Sequence, residues 1–351
     1  MRSHQPDLLP RRPTRAGSLT GGRRVLKVLL TVDTELWPSS PQWPERSMPA
    51  LRPTIDQDYE NCIMGKTKTG MYGLPFILDT LEQNELKAVF FVESLSASAL
   101  GSSHLEKTVQ MIQAQGQEVQ LHVHTEWLSE LEAPGLPRAH RQNLGDFSRA
   151  EQTSIVRHAR ENLLAAGASE VVALRAGNMG GNRDTPFAAC AAGLTIDMSF
   201  DLAQSSGARS TVKEVNGLGA ESGACPVVPL SCVEDYPGHY RPAQLTALSF
   251  AELREALLIA ERDGSPYFVL LLHSFELVTR DPGVPMRPHR INIARFKNLC
   301  EFLAAHRDRF STVGCADVSA RATAVKTSCI PRTSALSMLW RVGEQLVSRA
   351  L

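Results

Sequence analysis

Short, nearly unbroken apolar runs recur along this chain with helix-like segments between them, and this alternation constrains the fold more than any other feature. The runs lie near 25–32 (VLKVLLTV), 87–92 (KAVFFV), 117–123 (QEVQLHV), 171–174, 194–198 and 267–273 (YFVLLLH), with a further one near 311–314. A strand with one wet face alternates apolar and polar residues. A run that is apolar at almost every position suits a strand buried on both faces, the situation of a parallel sheet covered by helices. Helical patterns fill the intervals at 71–84, 103–115, 148–166, 249–263 and 291–306. Two of them open on capping boxes, Ser148 with Glu151 and Ser249 with Glu252, in which hydroxyl and carboxylate each satisfy an orphan backbone N–H. They stop at Gly167 and Gly264. Strand, helix, strand at this spacing implies right-handed βαβ units and an α/β fold, and leaves open whether the sheet closes.

Three stretches, 34–66, 125–147 and 202–248, read as long loops that could form the lips of a site. Residues 1–24, rich in Pro, Gly, Arg and Ser, read as a disordered leader. Residues 334–350 place Leu336, Leu339, Trp340, Leu346 and Val347 on one helical face. The plain expectation is a terminal helix packed on the body; the sharper one is a helix for a membrane surface or a partner.

Composition removes several classes. Lys plus Arg and Asp plus Glu are 37 each, a formal net charge of zero, which argues against a general nucleic-acid binder. Seven cysteines, an odd number without a CxxC pair, form neither a disulfide framework nor a thiolate zinc site. No apolar run is long enough for a transmembrane helix. The basic N-terminus is followed by a short apolar run that Asp33 interrupts, a poor export signal, so the expected location is cytoplasmic.

The polar residues that stand out sit at strand ends, where parallel α/β sheets bind ligands. Asp33 and Glu35, in LLTVDTELW, share a strand face, and two adjacent acids repel unless a cation lies between them or one is protonated. In EVQLHVHTEW, His122 and His124 share a face if the strand continues, and His122 and Glu126 do so if the chain turns helical. Either pair offers donors to a divalent metal. Arg175 ends an apolar run and leads into a glycine-rich loop that permits close backbone approach. Asp197, in GLTIDMSFD, and His273, in YFVLLLHSFEL, would each cost several kcal/mol if buried unpaired, so each needs a partner. For each alone, a turn, a core histidine or a surface arginine is the bland alternative. Together they are the kit for metal-assisted hydrolysis.

In this order the motifs resemble the polysaccharide deacetylase family, carbohydrate esterase family four, over roughly residues 25–315. The resemblance implies a distorted parallel (β/α) barrel of about seven strands, spanning 25–320, with 321–351 as a C-terminal tail carrying the amphipathic helix. It implies a divalent cation, zinc foremost, and an N-acetylated oligo- or polysaccharide as substrate. In TVDTE, Asp33 falls on the catalytic base, and Thr34 stands at the usual second aspartate, so that Glu35 takes the ligand role. His122 matches the first histidine of the metal motif. Glu126 stands where the second should be, and His124 is the other candidate. Arg175 matches the arginine that braces the base, with Ala176-Gly177-Asn178 in place of the family's prolines and a backbone N–H there, such as that of Asn178, as an oxyanion donor. Asp197 and Ser199 match the D-x-S motif, and Leu272 with His273 the motif that carries the general acid, which the matching aspartate, Asp197, would orient. Trp37, Trp43 and Trp127 could stack on sugar rings or pack in the core. A non-sugar amide as substrate, a metal-free glycoside hydrolase and a non-catalytic sugar-binding barrel remain as alternatives.

Overall fold

The computed structural model describes residues 25–38, 54–131, 133–204, 215, 217–218, 221–279, 285–318 and 330–350, without the side chains of 347–350. The 1–24 leader, Trp43 and Cys329 lie outside the described residues.

Seven parallel strands form the central sheet: β1 (Leu26–Thr34), β2 (Val89–Glu93), β3 (Glu118–Val123), β4 (Ala173–Ala176), β5 (Ile196–Asp197), β6 (Tyr267–His273) and β7 (Phe310–Thr312). Their order is β6-β1-β2-β3-β4-β5. One edge of β1 pairs with β6 from Lys27 to Asp33. The other is shared, with β7 on Leu26–Val28 and β2 on Thr31–Thr34. The outer strands β5 and β6 do not pair directly. The chain between them bridges the gap through isolated pairings, Asp197 with Val227 and Asp201 with Leu230 on one side, Gln244 with Leu271 on the other. The result is a distorted (β/α) barrel.

Two cores follow from the two-residue strand period. Val28, Leu30, Val32, Phe90, Val92, Leu121, Leu174, Leu270 and Leu272 point outward into the large core under the helices. Leu29, Val89, Phe91, Ala173, Tyr267, Val269 and Leu271 point inward and fill the barrel. Extending the inward register to the C-terminal strand ends puts Asp33, Glu93, His122, Arg175 and His273 at one mouth.

The covering helices are α1 (Ile55–Cys62), α2 (Leu74–Gln83), α3 (Ser96–Leu100), α4 (Ser103–Ala114), α5 (Arg149–Ala165), α6 (Thr185–Ala191), α7 (Phe250–Arg262) and α8 (Arg290–Ala305). Both capping boxes form, at the starts of α5 and α7. The stretches read as loops hold more structure than expected: α1 falls within 34–66, 3₁₀ turns within 125–147, and a hairpin pairing Cys232–Tyr236 with His239–Pro242 within 202–248.

The last helix, α9 (Ala335–Ala350), packs on the body, but through its polar face. Its apolar face points away from the body, with Leu336, Leu339, Trp340 and Leu346 59–79% exposed. The polar face docks instead. Arg341 is buried between Glu252 of α7 and Asp235 of the hairpin, with contacts of 3.1 Å to each, and Arg295 of α8 binds Glu344 at 2.7 Å. Two buried carboxylates need a cation more than the core needs four further apolar side chains, and this sets the helix's rotation.

Among the described residues no helix is long and apolar enough to cross a membrane. Cys62, Cys190, Cys225, Cys232, Cys300 and Cys315 are all free thiols.

Candidate active site

At the mouth, β1 carries Asp33 and, just beyond its end, Glu35; both are buried, 2% and 6% exposed. Arg175 of β4 is wholly buried and reaches across the barrel to Asp33, Nη1 to Oδ1 at 2.6 Å. Its guanidinium lies over the Phe91 ring at 4.2 Å. A fully desolvated cation on a carboxylate is a costly arrangement; Arg175 makes it through Nη1 alone, with its Nε and Nη2 buried without a hydrogen bond.

β3 continues extended through His124, which settles the face question: His122 and His124 both point inward. Nε2 of His122 lies 3.0 Å from Oε1 of Glu35, and Nε2 of His124 lies 3.3 Å from the same oxygen. The far nitrogen of each ring is held from behind. Nδ1 of His122 meets the Arg175 carbonyl at 2.9 Å, and Nδ1 of His124 meets Oε2 of Glu126 at 3.1 Å. Asn178 donates from its side chain to the other Glu126 oxygen at 3.0 Å. Glu126 therefore stands behind His124 rather than in the cluster of Glu35, His122 and His124, whose donor atoms lie within 4.8 Å of one another.

Gly177 is what lets this packing exist. A Cβ there would sit 2.6 Å from the His124 ring, a distance real Cβ atoms do not adopt. The glycine expected to admit a ligand admits the histidine ring instead. Trp37 packs against that ring in a T-shaped arrangement, 5.1 Å between centroids. Trp127, wholly buried, is core.

His273 ends β6 opposite Asp33 in the parallel register. Its Nε2 is 3.9 Å from Asp33 Oδ2 and 3.8 Å from Glu35 Oε1. Its Nδ1 meets Glu276 at 2.8 Å, and Gln244 donates to the same Glu276 oxygen at 2.5 Å. The resemblance gave the orienting role to Asp197. In the structure Asp197 is wholly buried on β5, accepts the Ser199 N–H at 3.0 Å through one oxygen, and leaves the other without a hydrogen bond. Sequence reasoning missed Glu276 and Gln244. The first was within reach, since it follows His273 by three residues in the turn; the second comes from a distant segment that only the barrel brings near.

The electrostatics follow from burial set against neighbours. Burial would raise the Glu35 carboxyl, yet the imidazoles of His124, His122 and His273 outweigh it and hold the group well below the usual carboxylate range. Burial would lower His124, and Glu35 with Glu126 hold it well above an ordinary imidazole. Burial likewise opposes charge on His273, and Glu276 first, then Glu35 and Asp33, lift it to about 9. Asp197, with no cation beside it, is pushed up to about 6 by burial.

The donor set suits a divalent cation: one carboxylate and two imidazole nitrogens, all buried, with Nε2 of His124 making no hydrogen bond. Asp33 and Glu35 with His273 form an adjoining group of three, so acid, base and candidate ligands share one small space.

The backbone is similar to that of a solved Mycobacterium smegmatis protein named as a candidate polysaccharide deacetylase. The TM-score is 0.53 at 18% identity, covering 93% of this chain and 98% of that one. The chain has the polysaccharide deacetylase fold. Fainter likenesses to structures with that fold include a family 4 carbohydrate esterase from Streptomyces lividans in complex with acetate, with TM-score 0.36 and 12% identity over 85% of this chain and 95% of that one. Another is a family 4 pseudoenzyme from Bacillus anthracis, with TM-score 0.36 and 12% identity over 83% and 65%. No protein-family profile matches the sequence, and no curated protein does. At these identities the polysaccharide deacetylase likeness is one of fold, and chemistry has to be argued from the mouth itself.

Proposed function

We propose that this chain is a metal-dependent hydrolase that removes N-acetyl groups from an amino-sugar-containing glycan. The observation that carries the reading is the adjacency, at the barrel mouth, of the Glu35, His122 and His124 cluster with an arginine-braced Asp33 and with His273.

Glu35, His122 and His124 would hold the cation, zinc foremost. Bound there, it supplies Lewis acidity toward an acyl oxygen and a lower pKa for water. Glu126 and the Arg175 carbonyl fix the two imidazole orientations from behind, and such outer partners typically matter 10- to 100-fold, roughly, for affinity or activity. Asp33 keeps one oxygen on Arg175 and turns the other toward His273, 3.9 Å from its Nε2. It is placed to take a proton from an attacking water. His273 faces Asp33 with Nε2 while Glu276 holds Nδ1, so Nε2 is the nitrogen that delivers a proton to the departing amine. The ~4 Å between Asp33 and His273 separates base from acid while keeping both within reach of one substrate atom pair. Trp37, half-buried beside His124, offers a ring edge next to the mouth.

The test is acetate release from N-acetylated oligosaccharides, with non-sugar amides alongside, before and after chelation and with Zn²⁺ or Co²⁺ restored. Chelation should abolish release and either ion should restore it. Activity that ignores chelators, or purified protein free of metal by elemental analysis that still turns over, overturns the metal. Asp33→Asn and His273→Ala that both leave release intact overturn the roles.

A further inference from the structure

The outward face of α9 has a pattern that nothing in its own chain explains. Leu336, Leu339, Trp340, Gly343 and Leu346 fall within a stripe about 120° wide on an α-helix. Around Gly343 these residues sit at minus seven, minus four, minus three and plus three, and in the sequence Val347 takes plus four. The spacing is therefore close to palindromic, with glycine at its centre.

Gly343 itself is unexplained within one molecule. A Cβ there would meet nothing within 4 Å, and its φ is not among the left-handed ones. A mid-helix glycine on an exposed face weakens the helix with no gain to the monomer. It makes sense where a second backbone must pass close by. The rotation that exposes the stripe is also fixed, by the buried ion pairs of Arg341 with Glu252 and Asp235 and by Arg295 with Glu344.

We propose that α9 is a dimerisation helix, and that its partner is the α9 of a second copy of this chain, packed antiparallel about a two-fold axis near Gly343. A two-fold contact presents one patch to itself, so residue i meets residue j and j meets i. A pattern palindromic about the axis does this without change: Trp340 of one copy faces Leu346 of the other, while the paired glycines let the helices approach. Leu336, Leu339, Trp340 and Leu346 are each 59–79% exposed, a contiguous apolar patch of roughly the few hundred Å² that a monomer rarely leaves open without a partner. Covering it on both copies approaches the roughly 1,000 Å² that a specific interface must at least clear. A lipid surface fits less well. Amphipathic membrane helices carry free Lys and Arg on the polar face, whereas here Arg341 is buried in ion pairs and Trp340 Nε1 donates to the Glu344 carboxylate at 3.0 Å beside the stripe.

The test uses the full chain in sedimentation equilibrium across the micromolar range. Twice the 38.4 kDa chain mass is expected. Leu339→Glu combined with Trp340→Glu should return the single-chain mass with an unchanged circular dichroism spectrum. In a background with both Cys190→Ser and Cys329→Ser, Gly343→Cys should cross-link two copies under mild oxidation. Leu336→Cys should not, because an antiparallel pair sets those positions about 20 Å apart along the axis. Single-chain mass throughout, a dimer indifferent to the double variant, or equal cross-linking at both positions overturns the proposal. So does a single-chain species that sediments with phosphatidylcholine and phosphatidylserine vesicles through this stripe.

Discussion

Asp197 sits wholly buried with one carboxylate oxygen unpartnered, and its pKa of about 6 makes it a source of pH-dependent instability. The folded value lies above the ordinary aspartate value of 3.8. Below pH 3.8 both folded and unfolded chains hold the proton and the contribution to stability is complete. As the pH rises from 3.8 toward 6 the unfolded chain ionises while the folded chain keeps the proton, so about 3 kcal/mol is lost, and the loss levels off above 6. Asp197→Asn, which keeps an acceptor for the Ser199 N–H, should stabilise the protein by up to that amount at pH 8 and change little at pH 4. Denaturant unfolding at the two pH values reads this directly, and a gain independent of pH would show that burial of the charge is not the cause. Gly177 makes a second residue-scale case. Gly177→Ala must displace the His124 ring, since 2.6 Å is far inside contact. Zinc affinity, measured against a competing chelator, should fall at least ~10-fold while the fold persists. An unchanged affinity would remove His124 from the ligand set. At this scale the sequence disclosed which residue types stood at strand ends. It could not decide between His124 and Glu126, because that depends on whether the strand runs on for one more residue past Val123.

Among the elements, the strands were the legible part. All seven lie within a few residues of the apolar runs, because burial on both faces leaves a composition no other local structure needs. The two capping boxes marked α5 and α7 to the residue. α1 was not legible: IDQDYENC is largely polar, buries only Asp58, Tyr59 and Cys62, and so shows little apolar periodicity. The hairpin at 232–242 was hidden for a related reason, since its charged residues serve a buried ion network rather than a wet face. The same network sets which face of α9 docks, which the sequence could not give, because amphipathicity gives the apolar face and not which way it points. Arg341 can be tested as the cause. Its side chain is 5% exposed and its partners Asp235 and Glu252 are fully covered. Arg341→Ala should cost about 3 kcal/mol in chemical denaturation, the lower end for stranding a buried partner, since His239 and Arg241 still reach Asp235 and Ser249 still reaches Glu252. Adding Glu252→Gln should recover part of that loss; if it deepens it, the pair is not what holds the helix.

Across the whole molecule, the groups at the mouth come from four strands that are far apart in sequence: Asp33 and Glu35 from β1 and its end, His122 and His124 from β3 and its end, Arg175 from β4 and His273 from β6. An unfolded chain presents no such cluster, so a cation seated there binds the folded state almost exclusively and must stabilise it by mass action. At an ion concentration one hundred times the dissociation constant the gain is about 2.7 kcal/mol, enough to raise the melting temperature by a few degrees in a chain of this size. Thermal unfolding with added Zn²⁺ should show that rise, grow with the logarithm of ion concentration, and reverse on chelation. His122→Ala should abolish the dependence, because it removes one of three donors and leaves Glu35 without the imidazole 3.0 Å away. His273→Ala should leave the dependence in place while removing activity, since its ring stands 3.8 Å from Glu35 on the substrate side. If Zn²⁺ shifts both variants equally, the ion is binding elsewhere and the barrel mouth is not its seat.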